Sequence, residues 1–284
     1  MTAPELTELF ELDLLGEGVE RRYRKARPEV ERMPWGTWDL STIPEESVIA
    51  GRRAWTSAAF QEYRTGIAAS LTLRALMEAR APLDLIAVFA RFPVDEMVHV
   101  ELCARLAAVL GGGTEIQYDP KDLCADADPS RSPLVRAAEL VTRNFCVGEA
   151  LSTPLLHGTA QRTKHPLPRA VLLSIARDEA AHGVFGFTFL DWALPLLSAE
   201  EKTYLAGVAE KAVNGVEQFW AEIRQSPPLP PAHAHVLGWM QQQPYLKLAA
   251  RSLESRVLRP LRARGFEIKS SAAPLEESEP PPND

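Results

Sequence analysis

Asp95-Glu96-Met97-Val98-His99 and Asp178-Glu179-Ala180-Ala181-His182 are two copies of one pattern, D-E-x-x-H. Residues three apart on an α-helix share a face, so each copy turns one carboxylate and one imidazole the same way. A pair of this kind supplies half the ligands of a dinuclear metal site, and completion needs one more carboxylate from each of two other helices. Glu62 lies upstream of the first copy and Glu149 upstream of the second. Carboxylate oxygen with imidazole nitrogen suits iron or manganese, whereas a structural zinc site more often shows cysteines. Four carboxylates and two neutral imidazoles offset the charge of two divalent ions, and without metal the same carboxylates would repel until some took up protons. The aspartates are expected to orient the histidines crosswise, Asp95 on the ring N–H of His182 and Asp178 on that of His99. The plain alternative is chance repetition on a polar helix face. Against it, both copies sit among apolar residues: Phe92, Val94, Met97 and Val98 around one, Ile175, Val184 and Phe185 around the other.

The elements that must position these groups read as helices. Ala and Leu abound, and runs of alternating β-branched residues are few. A first helix is expected from about Arg52 to Arg80 and a second from about Leu83 to Leu110, separated at Ala81-Pro82 and stopped by Gly111-Gly112-Gly113. Ser132 caps a third with Pro133 at its first position, running to about Thr159. A polar break from Gln161 to Pro168 precedes a fourth, ending near Leu197. Ser198-Ala199-Glu200-Glu201 reads as a capping box for a fifth, which ends before Pro227. Pro227 to Pro231 is a stiff connector, and a last helix follows from about Tyr245 to Arg264. In a hairpin, residues equidistant from the turn lie level. Glu62 and Glu96 are equidistant from Ala79, beside the first break, and Glu149 and Glu179 from Lys164, inside the second. Glu78, the competitor on the first helix, would sit level with the start of the second, far from Glu96.

The chain of 284 residues therefore reads as all-α: an N-terminal extension over 1–51 packing on a four-helix bundle over 52–197, additional C-terminal helices over 198–267, and a disordered tail over 268–284, rich in Pro, Ser and Glu. A formal charge of -7 disfavours nucleic acid as partner. No run is long and apolar enough for a membrane, and the acidic start lacks the pattern of a secretory signal. Cys103, Cys124 and Cys146 show no C-x-x-C spacing, which fits a reducing cytoplasm. Arg21, Arg22, Arg24, Lys25 and Arg27 read as a solvated helix face.

Pro93 and Pro154 lie close to Glu96 and Glu149, where each could distort a ligand-bearing helix and open a channel. Phe60, Phe89, Phe92, Phe145, Phe185 and Phe187 could line an apolar cavity, although packing is the commoner use of such rings. Cys103, Phe92 and Phe145 are the residues placed beside the pocket. His157 and His165 are expected to be exposed, His233 and His235 to be an idle His-x-His pair, and Trp35 and Trp38 to clamp the N-terminal segment.

With Glu62, the segment from Ala81 to His99, the CVGE ending at Glu149 and the IARDEAAH ending at His182, the chain resembles the ferritin-like di-iron carboxylate superfamily. Within it the likeness is to uncharacterised bacterial ferritin-like-domain proteins and, more distantly, to ribonucleotide reductase small subunits and bacterial multicomponent monooxygenases. It covers about Arg52 to Leu197. It implies a ferritin-like bundle with two iron ions, or Mn/Fe or Mn/Mn, held by Glu62, Glu96, His99, Glu149, Glu179 and His182. Cys103 stands where ribonucleotide reductase small subunits carry a radical-forming tyrosine, so radical storage is not implied. Ile175 stands where the N-oxygenase branch carries an extra histidine. The expected function is a di-iron oxidoreductase that activates O2 to oxidise or oxygenate a small-molecule or acyl substrate. No flavin, nicotinamide or iron–sulfur fingerprint is present, so an external electron donor is expected, and a homodimer is compatible with the pattern. The alternative is a ferroxidase or peroxide-protective iron-handling protein without organic substrate. A third reading keeps the fold only as a binding module.

Overall fold

A computed structural model describes residues 7–123, 125–228 and 230–269. Cys124 and the expected tail beyond Lys269 lie outside the described residues. The described residues are all-α apart from one two-stranded antiparallel pair, β1 (Glu8–Leu9) with β2 (Gln117–Tyr118). Short helices α1 (Glu17–Ala26) and α2 (Pro28–Glu31) lead into α3 (Glu45–Glu78), which starts before the expected Arg52. Its end is a tight reversal: Arg80 takes a left-handed φ of 52°, while Arg80 and Ala81 donate their N–H groups back to Met77 and Leu76.

The second expected helix is two. α4 (Leu83–Phe89) ends at Ala90-Arg91, and α5 (Phe92–Val109) begins anew with Pro93 in its first turn. Pro93 has no N–H to donate, which a helix start does not require, so it begins the ligand-bearing helix rather than kinking it. α5 closes at Gly111, whose φ of 111° lets Gly111 and Gly112 donate to Ala108 and Ala107.

Ser132 caps α6 (Pro133–Leu140), its Oγ accepting the Val135 N–H. The chain then widens into a π-helical stretch, Val141–Glu149, and returns to α-helix in α7 (Ala150–Arg162), which contains Pro154. α8 (Pro166–Ala193) is capped by His165, whose Nδ1 accepts the Leu167 N–H; that ring also stacks on Trp38 and is not merely exposed. The capping box at Ser198 and Glu201 opens α9 (Ala199–Gln225). After the prolines come α10 (Pro231–Leu237), α11 (Gln242–Ser252), a second π-helical stretch, Leu253–Leu258, and α12 (Arg259–Arg262). Phe266 and Ile268 beyond it are buried.

α3 packs mainly on α5, and α7 on α8; α5 and α6 also touch α8 and α3 respectively, so these segments form one packed group. One apolar cluster is centred on Phe89, Phe145 and Phe189, and a second on Trp55, Leu102 and Leu167 with Val30 and Trp38 from the N-terminal segment. Arg27 departs from the solvated-face reading. It is buried, pairing with Glu101 at 2.7 Å and Glu31 at 2.6 Å, as a buried guanidinium must. His233 bonds Ser47 at 2.8 Å, and with it α10 rests against the start of α3. No helix among the described residues is long and apolar enough to cross a membrane.

Candidate metal centre

Glu62 comes from α3, Glu96 and His99 from α5, Glu149 from the last position of the first π-helical stretch, and Glu179 and His182 from α8. The structure brings all six together. His99 Nδ1 lies 3.3 Å from Glu179 Oε1, 3.5 Å from Glu96 Oε2 and 3.6 Å from Glu62 Oε2. His182 Nδ1 lies 3.1 Å from Glu96 Oε1 and 3.4 Å from Glu179 Oε2. The donors form two quartets, Glu62-Glu96-His99-Glu179 and Glu96-Glu149-Glu179-His182, each with one donor atom per residue within 4.8 Å of the others. Glu96 and Glu179 belong to both. Each histidine thus turns Nδ1 to the carboxylates and Nε2 outward. Asp178 Oδ2 lies 3.6 Å from His99 Nε2, and Asp95 Oδ2 lies 3.6 Å from His182 Nε2. Arg91 and Arg177, exposed at the surface, hold Asp95 and Asp178 from outside at 3.1 and 3.3 Å.

Glu96, His99 and His182 have no exposed surface, yet both oxygens of Glu96 and all four ring nitrogens of the histidines are without a hydrogen bond. A buried polar group left unmade costs about 1–3 kcal/mol. Four of these atoms, the two Glu96 oxygens and the two Nδ1 nitrogens, lie close together but poorly aligned for bonding to one another and are aimed at shared points between them. That geometry fits a metal ion in each quartet, because a cation satisfies the oxygens and the imidazole lone pairs at once.

The protein's own electrostatics show the strain of holding these groups without a cation. Burial pushes Glu62 up to about 7 against the pull of His99, and burial together with the charge of Glu179 holds Glu149 well above the carboxylate range. Burial opposes charge on the histidines, but Asp178 and Glu179 beside His99 outweigh it and hold that imidazole well above its usual value. At His182 the same opposition is won by Asp95, Glu179 and Glu96, which raise it to about 11. Glu179 is buried too, yet contacts with Glu149, His182 and His99 keep it ionised far below the usual range. One cluster therefore contains carboxyls that retain protons and a carboxylate that refuses them.

The surroundings are asymmetric. The Phe92 ring lies 4.0 Å from that of His182, and Phe89, Phe145 and Phe185 pack behind it, with Phe89 at 4.8 Å from each of the other three rings. Phe92 and Phe145, placed beside a pocket by the sequence, are core residues that close this flank. Cys103 is likewise buried in the second cluster, its thiol pushed up by burial and by nearby Glu62. None of the three lines the cavity that does reach the site. That cavity, 780 Å³, touches Glu62, Glu149 and Glu179, and its far wall comes from α9, from Pro227-Pro228 and from the segment Trp239 to Tyr245. Sequence reasoning did not find this wall. It also missed Ser152, one turn after Glu149, whose hydroxyl donates to the Glu149 carbonyl at 3.0 Å and lies 3.4 Å from carboxylate oxygens of Glu149 and Glu179. His233 and His235 belong to neither quartet.

No family model matches the chain, and neither a curated protein nor a solved structure is similar to it.

Proposed function

We propose that this protein is a non-haem di-iron oxidoreductase of the ferritin-like kind, one that uses O2 to oxidise a small organic molecule. The observation that carries the reading is the pair of buried quartets sharing Glu96 and Glu179, open on one flank to a cavity of 780 Å³ and sealed on the other by phenylalanines. Glu62 and His99 would hold one ion, Glu149 and His182 the other, and Glu96 and Glu179 both. Iron there supplies the one- and two-electron chemistry with O2 that no side chain of this protein provides; manganese suits the same donors.

The protein's own part is geometric and electrostatic. Asp95 and Asp178, 3.6 Å from the outward Nε2 of each histidine, favour a proton on that nitrogen, which would leave Nδ1 to ligate. Phe92 and the rings behind it exclude water from the His182 flank. Ser152, at the cavity's inner end, sits where its hydroxyl can pass a proton to or from Glu149 or Glu179. The reducing equivalents for repeated turnover would come from an external donor. The cavity favours an organic substrate over iron handling alone, since ferroxidation needs no apolar chamber.

The test is elemental analysis of protein produced with ample iron, combined with O2 uptake by the anaerobically reduced protein. About two irons per chain and rapid O2 consumption, both lost in Glu96→Ala, support the reading. Less than about half an equivalent of any transition metal, unaffected by Glu96→Ala, would overturn it and leave a helical binding module.

A further inference from the structure

Among the described residues, no Lys, Arg or His lines the cavity beside the metal centre. Its charged groups are the three carboxylates at the inner end, all members of the quartets. Its walls are mostly apolar, with Leu155, Val216, Phe219 and Trp220 among them. An anionic ligand would enter without a countercharge and face carboxylates, so its desolvation would go uncompensated. A cation would lose its attraction once the carboxylates neutralise metal.

Two wall residues carry an unspent polar group: the indole N–H of Trp239 is buried without a hydrogen bond, and the second is a hydroxyl. Tyr245, on α11, lines the cavity, and its hydroxyl has no hydrogen-bond partner among the described residues. The wall around it is rigid. Gly238 takes a left-handed φ of 87°, and a Cβ there would meet Pro168 at 2.7 Å and Trp55 at 2.9 Å. Trp55 in turn donates to the Leu237 carbonyl at 2.9 Å and packs on Trp239 with ring centres 4.7 Å apart. Gln242 bonds the carbonyls of Ile223 and Ser226, tying the start of α11 to the end of α9. A chamber held open in this way, with one idle hydroxyl in an apolar wall, is a preformed binding site.

We infer that the cavity binds a neutral, mostly apolar organic molecule, one uncharged oxygen of which (an alcohol, carbonyl or ether) bonds to Tyr245. That the molecule is then oxidised rests on the function proposed above; that it binds does not. A separate cleft on the other side of Met240 is lined by Arg162, Lys247 and Arg251. It offers the competing arrangement, in which an anionic head group sits outside and a chain reaches in.

The experiment uses the full chain, metal-free and loaded with redox-quiet Mn(II). N-phenyl-1-naphthylamine, a neutral apolar fluorophore, is bound and then displaced by 1-decanol, decanoate or decylammonium, three ligands with one chain and different heads. Decanol is expected to displace it at least tenfold more effectively than decanoate with or without Mn(II), and at least tenfold more effectively than decylammonium once Mn(II) is bound. Tyr245→Phe should weaken decanol about 3- to 10-fold, as the loss of one hydrogen bond predicts, and leave the fluorophore unchanged. Gly148 lines the cavity and a Cβ there would meet nothing closer than 3.9 Å, so Gly148→Phe starts from an open position, occupies the space and should abolish binding of both. Circular dichroism checks that the variant is folded, and if it is not, Tyr245→Phe alone decides. Preference for decanoate, preference for decylammonium with Mn(II) bound, absence of displacement, or indifference to Tyr245→Phe would each overturn the inference. Because binding is read without iron or turnover, its failure leaves the metal reading standing, and failure to bind metal leaves this one standing.

Discussion

Asp178 on α8 stands 3.6 Å from Nε2 of His99 on α5, and the chain repeats the relationship in reverse between Asp95 and His182. Each motif therefore steadies the histidine of the other, and the two helices are coupled twice over. Asp178→Asn and Asp95→Asn keep shape and remove charge. Each should weaken metal affinity about 10- to 100-fold with all six ligands in place, measured by competition against a chromophoric chelator. Equal affinity to wild type would mean that the aspartates serve only Arg91 and Arg177.

The sharing of Glu96 and Glu179 sets the stoichiometry of loss. Glu149 belongs to one quartet, so Glu149→Gln should reduce the metal content from about two per chain to about one. Glu179→Ala should remove both ions. Removing the Glu149 carboxyl also relieves crowding, so the metal-free melting temperature should stay level or rise by about 2–4 °C, equivalent to about 1 kcal/mol. Calorimetry and elemental analysis on the same samples check both.

Metal binding must release protons. In the metal-free protein His99 and His182 hold theirs well above neutrality and Glu62 does so up to about 7. Affinity should rise with pH from 6 to 8, and titration calorimetry in buffers of different ionisation enthalpy should report more than one proton released per chain. The same groups set the stability of the metal-free fold. Glu62, ordinarily near 4.5, favours folding below that pH and loses the contribution as pH rises through about 7. His182, ordinarily near 6.5, contributes fully below that value and loses it through about 11. In both windows the native state binds more protons than the unfolded chain, so metal-free stability should fall with rising pH, and metal should reverse the trend.

Gly186 on α8 lies against the π-helical stretch so closely that a Cβ would meet Cys146 N, Cys146 Sγ and the Phe145 carbonyl carbon at 2.9 Å each. Two of these atoms are backbone and cannot rotate away. Gly186→Ala should cost about 1–3 kcal/mol by urea unfolding, and should weaken metal binding as well, because Glu149 ends the displaced stretch. A variant of wild-type stability would show that α8 has slack to move.

Much of this was legible from short-range chemistry. The caps at Ser132 and Ser198 depend on side chains within one turn, and the level placement of Glu62 with Glu96, and of Glu149 with Glu179, follows from the two helix breaks. The break at Ala90-Arg91 was not legible, because Pro93 reads equally as a kink or a beginning. The π-helical stretch left no local sign: its width is set by where α8 presses, a contact between residues distant in sequence. The cavity was misplaced for the same reason. Phe92 and Phe145 neighbour the motifs along the chain, but the wall is built by Trp220, Trp239 and Tyr245 from the C-terminal helices and the connection between two of them.

A π-helical turn holds more residues than an α-helical one, and Val141–Glu149 ends on a ligand. If the segment tightened to ordinary helix with all its residues kept, everything after the extra residue would swing by about 100° about the axis, carrying Glu149 off the site. Insertions and deletions are usually harmless in loops and harmful in helices by degrees. Here a substitution in mid-helix that let the wide turn tighten would disconnect one metal position at a stroke while leaving every ligand present in the sequence.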